Sequence, residues 1–285
     1  HGRRVAVQAT GQGVARPADD AVLVVTARLD KVSIDPARRR AHVSAGARWG
    51  AVLAPAQEHG LAPLLGSSTD VGAIGYTLGG GMGYLARRCG LSCDNLVSAD
   101  VVTADGTFIT CTEDRDPDLF WAIRGGGGNF GIVTSFEYRL HRVADIYGGA
   151  IFFAPDGDVL RRYRDFIGTA PEELGALFAF SKAAPLGFIQ PEWHGKPIAA
   201  VIACWSGGIR KGPKILAPIK QWGKVAGAFL DRMPYPMINT LFDALVPAGL
   251  QNYWKGNFVR AIPDEAIAAH VKHALLVPNP ESGMF

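Results

Sequence analysis

The chain has 285 residues, 48% hydrophobic and 19% charged, with a net charge of +3. This is ordinary globular composition, with room for one large domain or two smaller ones. It excludes a disulfide scaffold, because four cysteines cannot staple a chain this long, and a membrane-spanning helix, because no apolar run approaches ~18 residues.

In chain order, RRVAVQ (3–8) and AVLVVTA (21–27) read as buried strands, joined by the small-residue run ATGQG (9–13). KVSID and RRAHVSAG flank an Asp35-Pro36 turn as a hairpin. WGAVLAPAQEHG (49–60) has helical apolar spacing with Gly60 as its stop. GSSTDVGAIGYTLGGGMGYL (66–85) is the most glycine-dense part of the first half. NLVSADVVTADGTFITCT (95–112) is a hairpin around Asp105-Gly106. DPDLFWAIRGGGG (116–128) is a short helix with Asp116 as N-cap and Pro117 at its first position. FGIVTSFEYRLHRV (130–143) alternates as a long strand.

The texture changes near residue 144. GGAIFFAP, ALFAFSKA, IAAVIACWSG and NYWKGNFVRAI (252–262) read as strands. DVLRRYRDFIG, PKILAPIKQWG and DEAIAAHVKHAL read as amphipathic helices. The expected fold class is α+β: one α+β domain over 1–143, then a second over 144–285 with a broad antiparallel sheet. The chain starts at His1 rather than Met and ends at SGMF just after a helical segment, with no closing element. Both domains therefore read as lacking part of their length.

The basic clusters ARRRAH (37–42), ARRCG (86–90) and LRRYRD (160–165) read as solvated faces and not as a nucleic-acid surface. Cys89, Cys93, Cys111 and Cys204 read as buried or partly buried thiols, which suits a reducing, cytoplasmic location; no signal peptide is visible. Cys89 and Cys93 have no second pair to complete a zinc site, and His270 and His273 read as a solvated helix face, so no metal is expected. His59 and His141 read as ordinary helix-end and strand-end residues.

Gly81-Met82-Gly83-Tyr84-Leu85-Ala86 matches G-x-G-x-x-A, with Asp105 ~20 residues on. A dinucleotide fold would need a strand directly before these glycines and a helix directly after. VGAIGYTLGG precedes them and reads as a short helix or turn, and Asp105 is already a hairpin residue. An NAD-linked dehydrogenase stays the third reading. A better account takes ATGQG, residues 66–83 and GGGGNFGIV (125–133) as three glycine loops around one long ligand with a pyrophosphate in its middle.

The wording and order of VAVQATGQG, the run from WGAVLAPAQEHG to VVTADG, and DPDLFWAIRGGGGNFGIVTSFEYRLH resemble the berberine bridge enzyme-like oxidoreductases of the vanillyl-alcohol oxidase/p-cresol methylhydroxylase FAD-binding superfamily. The resemblance runs through most of 3–142 and continues loosely to YWKGNF. It implies an FAD-binding domain followed by a substrate domain, and an FAD-dependent oxidoreductase acting on a small-molecule substrate by hydride transfer to flavin N5. It implies that Ala9, Thr10, Gly11, Gln12 and Gly13 lie along the pyrophosphate. Gly66, Ser67, Ser68, Val71, Gly72, Gly75, Tyr76, Gly79, Gly80, Gly81 and Gly83 would wrap the flavin and pyrophosphate. Asp94 and Asn95 would sit near the flavin, and Gly131, Ile132 and Val133 would touch it through their backbone.

Two positions depart from the family. Many relatives have a histidine bonded to the flavin at the position of Gln12, and some add a cysteine at the position of Ser68. FAD is therefore expected to be held noncovalently, or to have been lost, which leaves a degenerate non-catalytic binding protein as the rival reading. In the family the base is often a tyrosine or acid in the substrate domain or near the C-terminus, and the family's C-terminal segment is expected to be absent from this chain, so no catalytic residue is assigned. Tyr253, Trp254 and Lys255 are the nearest substrate-facing candidates, beside the plainer reading of a half-buried strand.

Overall fold

The computed structural model describes residues 2, 4–14, 17–241, 243, 249, 255–276 and 283–284. Contacts divide the chain into two units, 1–144 with 235–243, and 145–234 with 244–285. The structure is α+β throughout, with each five-stranded sheet antiparallel.

In the first unit β1 (Arg4–Gln8) and β2 (Ala21–Val25) pair in parallel as a two-stranded ribbon. The sequence reading made both strands buried, and the structure corrects this. Val5, Val7, Val22, Leu23 and Val25 are all exposed. β-branched runs specify extended backbone, but burial also needs a covering layer, and a two-stranded ribbon supplies none of its own.

β3 (Val32–Asp35) and β4 (Arg40–Ser44) form the expected hairpin. α1 (Trp49–Gln57) follows and buries Trp49, Val52, Leu53 and Ala56 along one stripe. Gly60 stops it with φ +64. After β5 (Leu61–Ala62) come α2 (Ala73–Leu78), inside the glycine-rich stretch, and α3 (Ala86–Cys89), just after it. β6 (Leu96–Val102) and β7 (Phe108–Thr112) pair around the Asp105-Gly106 turn.

α4 (Pro117–Ala122) starts at Pro117 with Asp116 at the N-cap position, as expected, but without the capping side-chain hydrogen bond. Asp116 has φ +51. The predicted long strand is two pieces, β8 (Ile132–Arg139) and β9 (His141–Arg142). β9 leaves the sheet order β3-β4-β8-β6-β7 to pair with β5. The core of the unit is Trp49 against Tyr138 (5.4 Å between ring centres), with Phe136, Ala41 and Val43 fully buried.

In the second unit β10 (Asp145–Phe153), β11 (Leu174–Lys182), β12 (Pro197–Trp205) and β13 (Val225–Pro234) form a sheet in the order β13-β10-β12-β11. α5 (Gly157–Thr169) packs Val159 and Leu160 into a core with Ile151, Phe153, Phe180 and Trp205. PKILAPIKQWG is not one amphipathic helix. Pro213 sits in the first turn, where proline is tolerated, but Pro218 breaks the run into α6 (Gly212–Leu216) and a 3-10 turn over Ala217–Gln221. α7 (Tyr235–Thr240) belongs to the first unit. α8 (Asp264–Ala274) adds Ile267 and Ala274 to the core and is tied to α5 by Arg164–Asp264 at 2.7 Å.

The strand expected over 252–262 is absent from 255–262, which is irregular; 252–254 lie outside the described residues. β14 (Gly283–Met284) pairs with β11 at Phe180 and Ser181. No helix among the described residues is long and apolar enough to cross a membrane.

Candidate functional site: a glycine-lined surface on the first unit

Residues 69–73 run alongside 47–50. Trp49 donates to the Val71 carbonyl (3.0 Å), Gly50 to Thr69 (2.8 Å) and Ala73 to Ala47 (3.0 Å). Arg48 fixes the same segment through the Asp70 carbonyl and carboxylate, both at 2.8 Å. The loop 9–13 sits on this segment. A Cβ added at Gly72 would meet Thr10 Cγ2 at 3.1 Å and Ala9 Cβ at 3.9 Å. Two of the three small-residue loops singled out in the sequence thus lie against each other.

Within the loop Gly11 and Gly13 have φ of +78 and +70. Their amides make no hydrogen bond to another described residue, and the Gln12 amide donates only weakly to the Thr10 hydroxyl (3.4 Å). The Gln12 side chain is exposed.

Tyr76 organises the rest of the stretch. Its hydroxyl donates to the Met82 carbonyl at 2.5 Å, and its ring stands edge-on to Trp49. A Cβ at Gly66 would lie 3.2 Å from the Tyr76 hydroxyl, and one at Gly81 only 2.6 Å from the ring. Burial raises the phenol far above its ordinary range, so it is a donor at any working pH. The hydroxyl is thus committed inside the loop.

Gly80 and Gly81 have positive φ and accept from Cys93 (2.9 Å) and Ser92 (2.8 Å). Gly127 donates to Leu78 (2.9 Å), which brings the third loop to the same place. Ser67, Gly75 and Gly79 are exposed, and Ser68 Oγ accepts from Asp70 at 3.4 Å. Gly131 lies on the sheet, where a Cβ would overlap Val101 and Val102 at 2.7 Å. Ile132 and Val133 continue it as the start of β8.

Asp94 and Asn95 close the loop over 89–95. Asp94 accepts from Leu91 (2.8 Å) and faces Arg124 (3.5 Å). Asn95 is buried and donates to the carbonyls of Cys89 and Leu91. Its Oδ1 is therefore the atom facing His141 Nε2 (2.8 Å), and the imidazole must donate there. His141 is thus more than a strand-end residue. Burial first, then Arg139, Arg88 and Arg39, lower it from 6.5 to about 4. The unfolded chain takes up this proton near 6.5 and the folded chain only near 4. The stabilisation is complete above 6.5 and is lost as pH falls toward 4. The midpoint of urea unfolding should drop across that window, and His141→Gln should flatten the drop by up to one proton's worth of slope.

Sequence reasoning missed three supports. Arg48 holds the 69–73 segment, and Arg124 donates to the Cys93 carbonyl (3.0 Å). Asp243 receives the Thr69 amide (3.3 Å) and hydroxyl (2.8 Å). Only Arg124, beside the glycine run, had a local signal. Tyr253 and Trp254 lie outside the described residues, and Lys255 is exposed. The G-x-G-x-x-A motif follows α2 instead of a strand and leads into a four-residue helix, and Asp105 spends its carboxylate on Thr103 and Thr107. This geometry does not fit a dinucleotide fold. Among the described residues no group of three His, Cys, Asp or Glu could hold a metal ion.

Residues 1–112 match the FAD binding domain family. The chain is 43% identical over 129 residues to the FAD-linked oxidoreductase pgmH of Aspergillus terreus, covering 45% of this chain and 26% of that protein. It is 30% identical over 274 residues to (R)-6-hydroxynicotine oxidase of Paenarthrobacter nicotinovorans, covering 93% and 58%. Its structure is similar to the glucooligosaccharide oxidase of Acremonium strictum at TM-score 0.75 and 26% identity, covering 98% of this chain and 59% of that one. That oxidase carries a 6-S-cysteinyl, 8α-N1-histidyl FAD. The chain spans at most about three-fifths of the length of these relatives.

Proposed function

We propose that this chain is a berberine bridge enzyme-like FAD-linked oxidoreductase of the vanillyl-alcohol oxidase/p-cresol methylhydroxylase superfamily, and that it binds FAD noncovalently on its first unit and oxidises a small alcohol, sugar or secondary metabolite. The observation that carries this reading is the seating of loop 9–13 against Gly72. It sets Ala9 and Thr10 against Gly72, in the same exposed loop as Gly11 and Gly13, whose amides bond to no other described residue. Backbone donors with no side chain in front of them fit a diphosphate. Gly13 and Gly75 add to the fit, since a Cβ at either would meet nothing within 4 Å.

In this reading Ala9 to Gly13 and Val71 to Gly75 hold the pyrophosphate. The segments 66–68 and 79–83 flank the flavin, Tyr76 and Arg48 keep them in shape, and Asp94, Asn95 and the 131–133 backbone complete the surround. FAD, when bound, supplies a hydride acceptor at flavin N5 and a route for electrons to dioxygen or another acceptor. Asn95, anchored by His141, fixes the backbone of 89–91 beside that surface. Cys89, Cys93, Cys111 and Cys204 are all free, and we place the protein in a reducing compartment on that ground.

The test is anaerobic mixing of FAD-loaded protein with 6-hydroxynicotine, gluco- and xylo-oligosaccharides and simple benzylic alcohols. At least one should bleach the visible flavin band, and air should restore it with oxygen uptake. A protein that binds no flavin, or whose bound flavin none of them bleaches, would favour the non-catalytic rival.

A further inference from the structure

The chain's largest basic cluster, ARRRAH, plays no part in the flavin reading, yet the fold gives it a place. Near the end of the first unit's sheet is an open depression of about 350 Å³, lined by Pro36 and Arg39 of the β3–β4 turn, His59 and Leu61 after α1, and Arg142 of β9. The turn is fixed there, because the Arg39 carbonyl accepts from Leu140 (2.9 Å) and β5 pairs with β9. Arg39 itself stands at φ +55, an uncommon conformation for a side chain of this size.

No carboxylate lines the depression, and none among the described residues pairs with Arg39 or Arg142. The acids nearby in sequence have other places. Asp35 accepts the Arg38 amide, Glu137 stands opposite His42, and Glu58 is on the exposed surface. Arg40 and Arg139 are directly opposed across β4 and β8, a like-charge pair that raises the local positive potential.

We propose that this depression is an anion site, separate from the flavin surface, in which Arg39 and Arg142 grip a phosphoryl dianion with His59 at its rim. Guanidinium groups present paired N–H donors that match phosphate oxygens. The ligand is either free phosphate or the phosphate group of a small metabolite.

The test is thermal unfolding of the FAD-loaded protein, titrated at constant ionic strength with inorganic phosphate and separately with glucose 6-phosphate. Parent and Arg39→Ala/Arg142→Ala proteins would be compared, with far-ultraviolet circular dichroism to confirm the fold. The parent should be stabilised saturably, and the double variant should bind at least about 10-fold more weakly, a typical loss when charged hydrogen bonds are removed. Tighter binding of glucose 6-phosphate identifies a phosphomonoester ligand, and equal binding identifies free phosphate. Equal stabilisation of both proteins, or stabilisation reproduced by sodium chloride alone, would overturn the site. So would phosphate binding that survives in the double variant but is competed away by excess FAD, since that binding belongs to the glycine loops.

Discussion

Acid precipitation of the FAD-loaded protein should leave essentially all of its yellow colour in the supernatant. A covalent link needs a nucleophile in reach of the flavin ring. The Gln12 side chain is exposed in the right loop, but the lone pair on its amide nitrogen is delocalised into the carbonyl. Ser68 offers only a hydroxyl, and no described base hydrogen-bonds to its Oγ. The four thiols lie outside the loops at 9–13 and 66–83. Burial raises all of them, Cys204 to about 12, which further lowers their thiolate content. The glucooligosaccharide oxidase that shares this fold uses a histidyl and a cysteinyl link, and residues 9–13 and 66–83 of this chain contain neither residue type. Gln12→His should therefore move a measurable fraction of the colour into the pellet and raise the flavin's reduction potential. Colour in the pellet of the unaltered protein would overturn the noncovalent reading. If the Gln12→His protein still releases everything, loop 9–13 does not lie at the flavin ring.

What was legible in the sequence is what local chemistry writes. Asp105-Gly106 between two β-rich runs made a hairpin because glycine alone takes that turn's positive φ at no cost, here +86. The glycine density at 66–83 marked a surface of close backbone approach, and Gly72 and Gly81 do sit within reach of Thr10 and Tyr76. What was not legible depends on partners far along the chain. Asp243 binds Thr69 across 174 residues, and His141 binds Asn95 across 46. No local pattern encodes either. The apolar alternation of 3–8 and 21–27 wrote strands correctly and burial wrongly, since a run of valines is the same under a helix or under water. The opposite error fell at Val225–Pro234, a ten-residue strand pairing with β10 that the sequence reading passed over. Gly227, Asp231 and Arg232 interrupt its apolar pattern, and only pairing in the sheet holds it extended.

The glycines of the candidate site divide by what their missing Cβ leaves room for, and this separates fold from cofactor in one experiment. Gly81→Ala should cost about 3 kcal/mol. Its φ of +81 is a left-handed conformation worth roughly 1–2 kcal/mol against an L side chain. The new methyl would also stand 2.6 Å from the Tyr76 ring and from Ser92 Cβ, overpacking of a kind that costs about 1–3 kcal/mol. Against a typical total of ~5–15 kcal/mol this is a large fraction. It should appear as a lower urea midpoint together with loss of FAD, because the Tyr76–Met82 bond cannot keep its geometry. Gly75→Ala is the opposite case. The residue is exposed within α2, and its Cβ would meet nothing of the protein within 4 Å. An alanine there should leave stability unchanged or raise it by about 0.5–1 kcal/mol, the usual gain over glycine in a helix. If FAD lies against this backbone, the same methyl intrudes on the ligand, and flavin affinity should fall at least about 10-fold in a protein that is no less stable. Unchanged affinity in Gly75→Ala would remove residue 75 from the cofactor surface. Unchanged stability in Gly81→Ala would show that the Tyr76 wedge does not hold the loop.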